Sequence, residues 1–158
     1  MLKKLYRYVS DPAQLAVALY YKSRQHYEKG NNRYAHVLKG LNQMLTGVEI
    51  SPEAVIGKNL KIYHGNGIVI GRGVVIGDDV TIWQQVTLGV VDISITYDVD
   101  RRVFPIVEDG AKLCAGAKIL GPVTVGRNAL VGANAVVLED VPADHVAVGI
   151  PARILPKK

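Results

Sequence analysis

Sulfur and large aromatic rings are scarce in this chain of 158 residues, which has one cysteine, one phenylalanine and one tryptophan. The lone Cys114 excludes an internal disulfide and suits a reducing compartment, so a cytoplasmic location is expected. Flanked by Leu113 and Ala115-Gly116-Ala117, it reads as a small buried residue rather than a nucleophile. With one Phe and one Trp, the core must be aliphatic. No run reaches the ~18 apolar residues that a membrane span needs, and the N-terminus lacks the apolar centre of a secretory leader. Charged residues make up 21% of the chain, and the net charge of +5 is dispersed. That excludes the basic stripe of a nucleic-acid binder and leaves a mild preference for anionic ligands such as a nucleotide phosphate. Of the four histidines, only His64 lies within the repeats described next, so a three-histidine zinc centre is excluded and no metal is expected.

What the chain has in abundance is a period of six. Aliphatic residues recur at Ile50, Ile56, Ile62 and Ile68, then at Ile70, Ile76, Ile82 and Leu88 after a slip of two. The beat resumes at Val107, Leu113, Ile119, Val125, Val131 and Val137. A second column four residues on is also apolar or small: Val74, Val80, Val86, Ala111, Ala117, Val123, Ala129, Ala135 and Val141. A helix requires a period of 3.6 and an open-faced strand a period of 2, so neither fits. Six residues make one short strand and one corner, and three such units make one coil. The pattern therefore predicts an all-β solenoid, a parallel β-helix whose coils bury their inner faces on each other. Gly and Asn or Asp after the beats, as at Gly57, Asn59, Gly77 and Asp79, suit corners that need positive φ.

Three segments follow. Residues 1–47 lack the beat and read as a helical segment: Asp11-Pro12 as cap and first turn, one helix to about Glu28, a break at Gly30, and a second helix from Arg33 to Leu45. Val37, Leu38, Leu41, Met44 and Leu45 are expected to form the face that closes the end of the coil. Residues 48–142 are the β-helix, interrupted at 89–106 by a polar loop extruded from it. Residues 143–158, with Pro151 and Pro156, are expected to form an irregular tail.

His64, in Tyr63-His64-Gly65-Asn66-Gly67, sits where the beat slips, and imidazole can take a proton from a hydroxyl at neutral pH. The stretches Val48-Glu49-Ile50-Ser51-Pro52, Tyr63-His64-Gly65-Asn66-Gly67-Ile68-Val69-Ile70-Gly71, Val86-Thr87-Leu88-Gly89, Ala115-Gly116-Ala117-Lys118-Ile119-Leu120-Gly121 and Val148-Gly149-Ile150-Pro151-Ala152-Arg153 carry a resemblance. Over about two-thirds of its length the chain resembles the left-handed β-helix acyltransferases with hexapeptide repeats, closest to serine acetyltransferase-like O-acetyltransferases. The resemblance implies acetyl-CoA as co-substrate, a homotrimer with sites between subunits, His64 as general base and Glu49 as the carboxylate that orients it. It further implies a CoA groove lined by Gly89, Ala115, Ala117 and Ala133, with Arg153 and Lys158 reaching the phosphates and a backbone N–H of Gly89 or Ala115 helping the thioester oxygen.

Two positions depart from the family pattern. Tyr63 stands where an Asp is usual, and Phe104, just after Arg102, stands where a second His is usual. Tyr63, Phe104 and Arg102 are therefore the expected acceptor-binding residues, and the aromatic pair suits a sugar ring. The expectation is an O-acetyltransferase acting on a sugar hydroxyl of a surface-polysaccharide precursor. The alternatives are a serine O-acetyltransferase of cysteine synthesis, or a non-catalytic β-helix that binds or scaffolds.

Overall fold

The computed structural model describes residues 10–91 and 103–157. Three parallel sheets form the sides of a prism about four coils long. The first holds Glu49–Ile50 (β1), Val69–Ile70 (β4), Thr87–Gly89 (β7), Lys118–Leu120 (β10) and Val136–Val137 (β13), in that order. The second holds Val55–Ile56 (β2), Val75–Ile76 (β5), Ile106–Val107 (β8) and Thr124–Val125 (β11). The third holds Lys61–Tyr63 (β3), Thr81–Trp83 (β6), Lys112–Leu113 (β9), Leu130–Val131 (β12) and His145–Val148 (β14), with Arg153–Pro156 (β15) added at its edge. The hexapeptide reading is correct, and the beat residues Ile50, Ile70, Leu88, Ile119 and Val137 stack in one column with at most 1% exposure. Burying each such side chain contributes ~1.5–3 kcal/mol.

One beat was misplaced. The amide of Glu49 donates to Ile68 O, that of Val69 to Val86 O and that of Thr87 to Ala117 O, each at 2.9 Å. Ile68 thus belongs to the second column, beside Val86 and Ala117, and the two extra residues lie in the corner 64–67. The register shows the same excess. Val69 pairs with Glu49, twenty positions earlier, whereas Thr87 pairs with Val69 after eighteen. Gly67, at φ +76°, closes this widened corner by donating to Gly47 O at 2.8 Å. The second irregularity is larger. Val75 pairs with Ile106, thirty-one positions on, so the extruded loop leaves after the first sheet and returns into the second. Residues 92–102 of that loop, Arg102 among them, fall outside the described residues, as does Lys158.

Two helices cap the first coil. Pro12–Glu28 (α1) starts at Asp11, whose side chain accepts from Gln14 N at 3.3 Å, and Asn32–Thr46 (α2) ends on Gly47 at φ +70°. α1 is fastened to the coil through its second half. Tyr20 Oη donates to Ala54 O at 2.8 Å, Tyr21 Oη donates to Gly57 O, and Arg24 donates to the carbonyls of Pro52 and Glu53. Between the helices, Ser23 Oγ donates to Ala35 O at 2.7 Å and Asn42 Nδ2 to Ala16 O at 3.0 Å. The expected closing face of α2 is a correction. Of its five residues only Leu38 is buried, while Val37, Leu41, Met44 and Leu45 are exposed. The buried stripe is Ala35, Leu38 and Asn42, because small and hydrogen-bonding residues let α2 lie close against α1. The tail is a second correction. It is not irregular, since β14 continues the third sheet and β15 folds back antiparallel on it, with Val146 opposite Leu155. Among the described residues, no helix is long and apolar enough to cross a membrane.

Candidate functional site

The widened corner places His64 on the edge where the third sheet turns into the first. His64 is exposed and held at φ +54°, a left-handed conformation it shares with corner residues such as Asn59, Asp79 and Asn128. Just before it, Tyr63 stacks on Trp83 of the next coil, with ring centroids 5.4 Å apart and planes inclined by 24°. On the far side, Gly65 is packed so closely that an added Cβ would stand 2.8 Å from Val48 Cγ2. The corner is thus braced from both ends.

Two cavities flank this corner, and the N-terminus of α1 borders both. The larger, about 460 Å³, is lined by His64, Gly65, Asn66, Gln84, Thr46 and the turn at Ser10 to Ala13. The other, about 430 Å³, lies against Tyr63, Lys61, Ile62, Gln14 and again Asp11. Asp11 is therefore a site residue that sequence reading took only for a helix cap. Its two oxygens accept from Gln14 N and Gln14 Nε2, at 3.3 and 2.5 Å, which leaves about half of a carboxylate's four acceptor positions for a ligand. Gln84 has a buried amide oxygen with no hydrogen-bond partner among the described residues. An unpaired buried acceptor of this kind costs ~1–3 kcal/mol until a donor reaches it.

Glu49 is elsewhere engaged. Its carboxylate pairs with Lys39 Nζ of α2 at 2.7 Å, and among the described residues no hydrogen bond joins it to His64. Among the described residues, no hydrogen bond joins the His64 ring to a carboxylate. Phe104 also lies apart from Tyr63. It sits on the edge between the first and second sheets, against Gly71 and Gly73, where an added Cβ on Gly73 would be 2.2 Å from Phe104 Cδ2. Tyr63 and Phe104 do not form a pair within one chain, because they occupy different edges of the prism.

A groove of about 610 Å³ begins at Gly67, three residues from His64, and runs along the same edge past Gln85, Gly116 and Asn134 to Ile150. It spans three coil steps of ~4.8 Å each. Ala115 and Ala133 lie on this edge beside Gly116 and Asn134, and Ala133 is exposed. Gly89 ends β7, and a Cβ placed on it would meet nothing within 4 Å, so its backbone is open to close approach. Ala117 does not line the groove: its side chain is fully buried, its N–H donates to Cys114 O and its carbonyl accepts from Thr87 N. Arg153 is exposed on β15. Burial pushes the half-buried Cys114 thiol up, partly opposed by Lys112, which fits a packing residue. No group of His, Cys, Asp and Glu among the described residues is arranged to hold a metal ion.

Comparisons with known proteins agree with the geometry. Residues 104–139 match the family model for bacterial transferase hexapeptide repeats. The serine acetyltransferase of Bacillus licheniformis is 41% identical over 129 residues, which is 82% of this chain and 57% of that protein. A solved serine acetyltransferase in complex with CoA superposes with a TM-score of 0.81 at 38% identity, covering 89% of this chain and 55% of that one. The chain belongs with the hexapeptide-repeat acyltransferases. A Neisseria gonorrhoeae serine acetyltransferase in complex with serine gives a TM-score of 0.82 at 33% identity, over 90% of this chain and 56% of the other. The chain spans about half the length of the relatives it matches.

Proposed function

We propose that the chain transfers an acetyl group from acetyl-CoA to the hydroxyl of serine, with His64 as the general base. The observation that carries this reading is the cavity lined by both His64 and Asp11. A positioned base lets an acceptor hydroxyl attack a thioester directly, without an acyl-enzyme. The imidazole takes the hydroxyl proton as the oxygen attacks the acetyl carbonyl. The tetrahedral adduct then expels the CoA sulfur, which leaves with that proton. Asp11, an anion capping the helix that Tyr20 and Arg24 tie to the coil, holds the α-ammonium group of the acceptor.

Serine thereby replaces the sugar expected from Tyr63 and Phe104. That expectation rested on the loss of polar groups at two positions, and the cavity regains an acid from a third. Tyr63 spends its ring face on Trp83 instead of presenting it to a ligand. The serine-bound relative supports the same choice. For acetyl-CoA, the groove from Gly67 to Ile150 suits a thin pantetheine arm, and the open backbone at Gly89 suits its close approach. Arg153 and Lys157, both exposed near the end of the chain, are placed to meet phosphate charge.

The assembly proposed is a trimer with shared sites. Phe104 and the root of the extruded loop stand on one edge and His64 on another. A three-fold arrangement sets the one edge of a chain beside the other edge of its neighbour. The reading is tested by thiol release from acetyl-CoA with serine and with a panel of sugars, for wild type and His64→Ala together. Turnover with serine that falls in the variant is expected; turnover confined to a sugar refutes the acceptor, and an active variant refutes the base.

A further inference from the structure

We infer that Lys61 is a specificity-determining residue, whose ammonium group binds the carboxylate of the acceptor while Asp11 binds the acceptor's own ammonium. The inference rests on the serine reading above and extends it into the second cavity at the His64 corner. Asp11 borders both cavities. In the one of about 430 Å³ it is the only anion of the lining and Lys61 the only cation, and the other polar groups, Gln14 and Tyr63, are neutral. Lys61 stands on β3 two positions before Tyr63, so the two side chains leave the same outer face of the strand, and His64 is the next residue. The strand itself is fixed. Lys61 N donates to Val80 O at 2.9 Å, and Lys61 lies opposite Thr81 as Tyr63 lies opposite Trp83.

Opposite charges that line one cavity attract each other, yet these two are not paired. Among the described residues the Lys61 ammonium makes neither an ion pair nor a hydrogen bond, with Asp11 or with any other group. The Asp11 oxygens are held instead by Gln14, which fixes the carboxylate at the head of α1 and leaves acceptor positions open. The result is a separated anion and cation, each with capacity to spare, on the walls of one cavity. An α-amino acid carries its ammonium and carboxylate one carbon apart, and it closes such a gap with a charge-assisted hydrogen bond of ~2.8 Å at each end. A sugar, or an amine without a carboxylate, satisfies at most one of the two charges. The apolar Val17, Leu60 and Ile62 of the same lining lower the local dielectric and strengthen both contacts. Lys61 therefore selects an α-amino acid over an amino alcohol of the same reach.

The test compares serine with ethanolamine, which is serine without its carboxyl group, as acceptor or as competitive inhibitor. Wild type, Lys61→Met and Lys61→Arg are used as full chains, and because Lys61 is exposed both variants keep the fold. Wild type should prefer serine, and Lys61→Met, which keeps an unbranched stem and removes the charge, should lower that preference by about 10-fold. The change should fall on KM for serine, with KM for acetyl-CoA and for ethanolamine unmoved. Lys61→Arg, which returns the cation, should restore the preference, a rescue that a packing role would not give. An unchanged preference in Lys61→Met overturns the inference, as does an equal loss toward both acceptors. Wild type that acetylates serine and ethanolamine alike sinks this inference alone; wild type that acetylates only sugars sinks it together with the serine reading.

Discussion

Tyr20 holds the helical cap to the coil, and alkali should release it. Its ring is 1% exposed and its hydroxyl donates to Ala54 O at 2.8 Å. Burial pushes the phenol from its ordinary value of 10.0 up to about 12, with the Arg24 charge opposing. The folded state therefore keeps the proton where the unfolded state loses it. Stability from this group is complete below pH 10 and declines between pH 10 and about 12 as the unfolded chain gains phenolate. The full gap corresponds to about 3 kcal/mol, of which roughly 1.3 kcal/mol is lost between pH 9 and 11. The informative quantity is the difference between wild type and Tyr20→Phe, in which contributions common to both cancel. The variant leaves Ala54 O without its donor and should be less stable at pH 8 by about 1–2 kcal/mol. Denaturant unfolding followed by circular dichroism at pH 8, 9, 10 and 11 should show that deficit shrinking, because only wild type pays the alkaline penalty. A deficit that stays constant from pH 8 to 11 would mean that Tyr20 ionises in place, and the tether argument would be wrong.

Three further outcomes follow from the same geometry. His64→Ala should reduce kcat by about 10²- to 10⁴-fold while calorimetric acetyl-CoA binding is kept, since the base takes no part in the groove from Gly67 to Ile150. Gly73→Ala drives a Cβ into the Phe104 ring and should expel it, shown by a shifted acceptor KM if that ring faces a neighbour's site; an unchanged KM would remove Phe104 from the acceptor pocket. Co-expressed His64→Ala and Phe104→Ala chains, each impaired alone, should recover about one quarter of wild-type activity in mixed trimers, and no recovery would argue against sites shared across the three-fold axis.

The solenoid was legible because its rule is local and repeated. Each beat residue faces inward, each corner needs Gly, Asn or Asp, and the next coil repeats the demand on a neighbour only eighteen residues away. The slip of two residues was legible as well, although its position was not. Ile68 carries the right side chain for either column, and only the hydrogen bonds from Glu49 and Val69 decide between them. The helices were visible in outline and mistaken in orientation. Apolarity marked Val37, Leu41, Met44 and Leu45 as a packing face, but α2 meets α1 through Ala35 and Asn42, where close approach and a hydrogen bond outweigh apolar area. Pattern alone favours the greasier stripe when two stripes compete on one helix.

The site shows the same limit at a longer range. His64 announced itself, because a histidine at a break in a regular beat is conspicuous. Asp11 did not, because Asp-Pro at the head of a helix has a sufficient local reason to exist as a cap. Its second role depends on where α1 lies, and that is set by Tyr20, Tyr21 and Arg24, which fasten the other half of the helix to carbonyls of the first coil. With those anchors in place, the N-terminus of α1 reaches the edge that carries His64, and Asp11 lines the same cavity as His64. On the proposed reading, recognition moves from the residue next to the histidine, where Tyr63 stacks on Trp83, to an element about fifty positions earlier in the chain. A substitution that looks like the loss of an acid at one position is compensated only in three dimensions. For that reason the two aromatic replacements, read by themselves, argued for a sugar, whereas the cavity that Asp11 shares with His64 underlies the proposal of an amino acid.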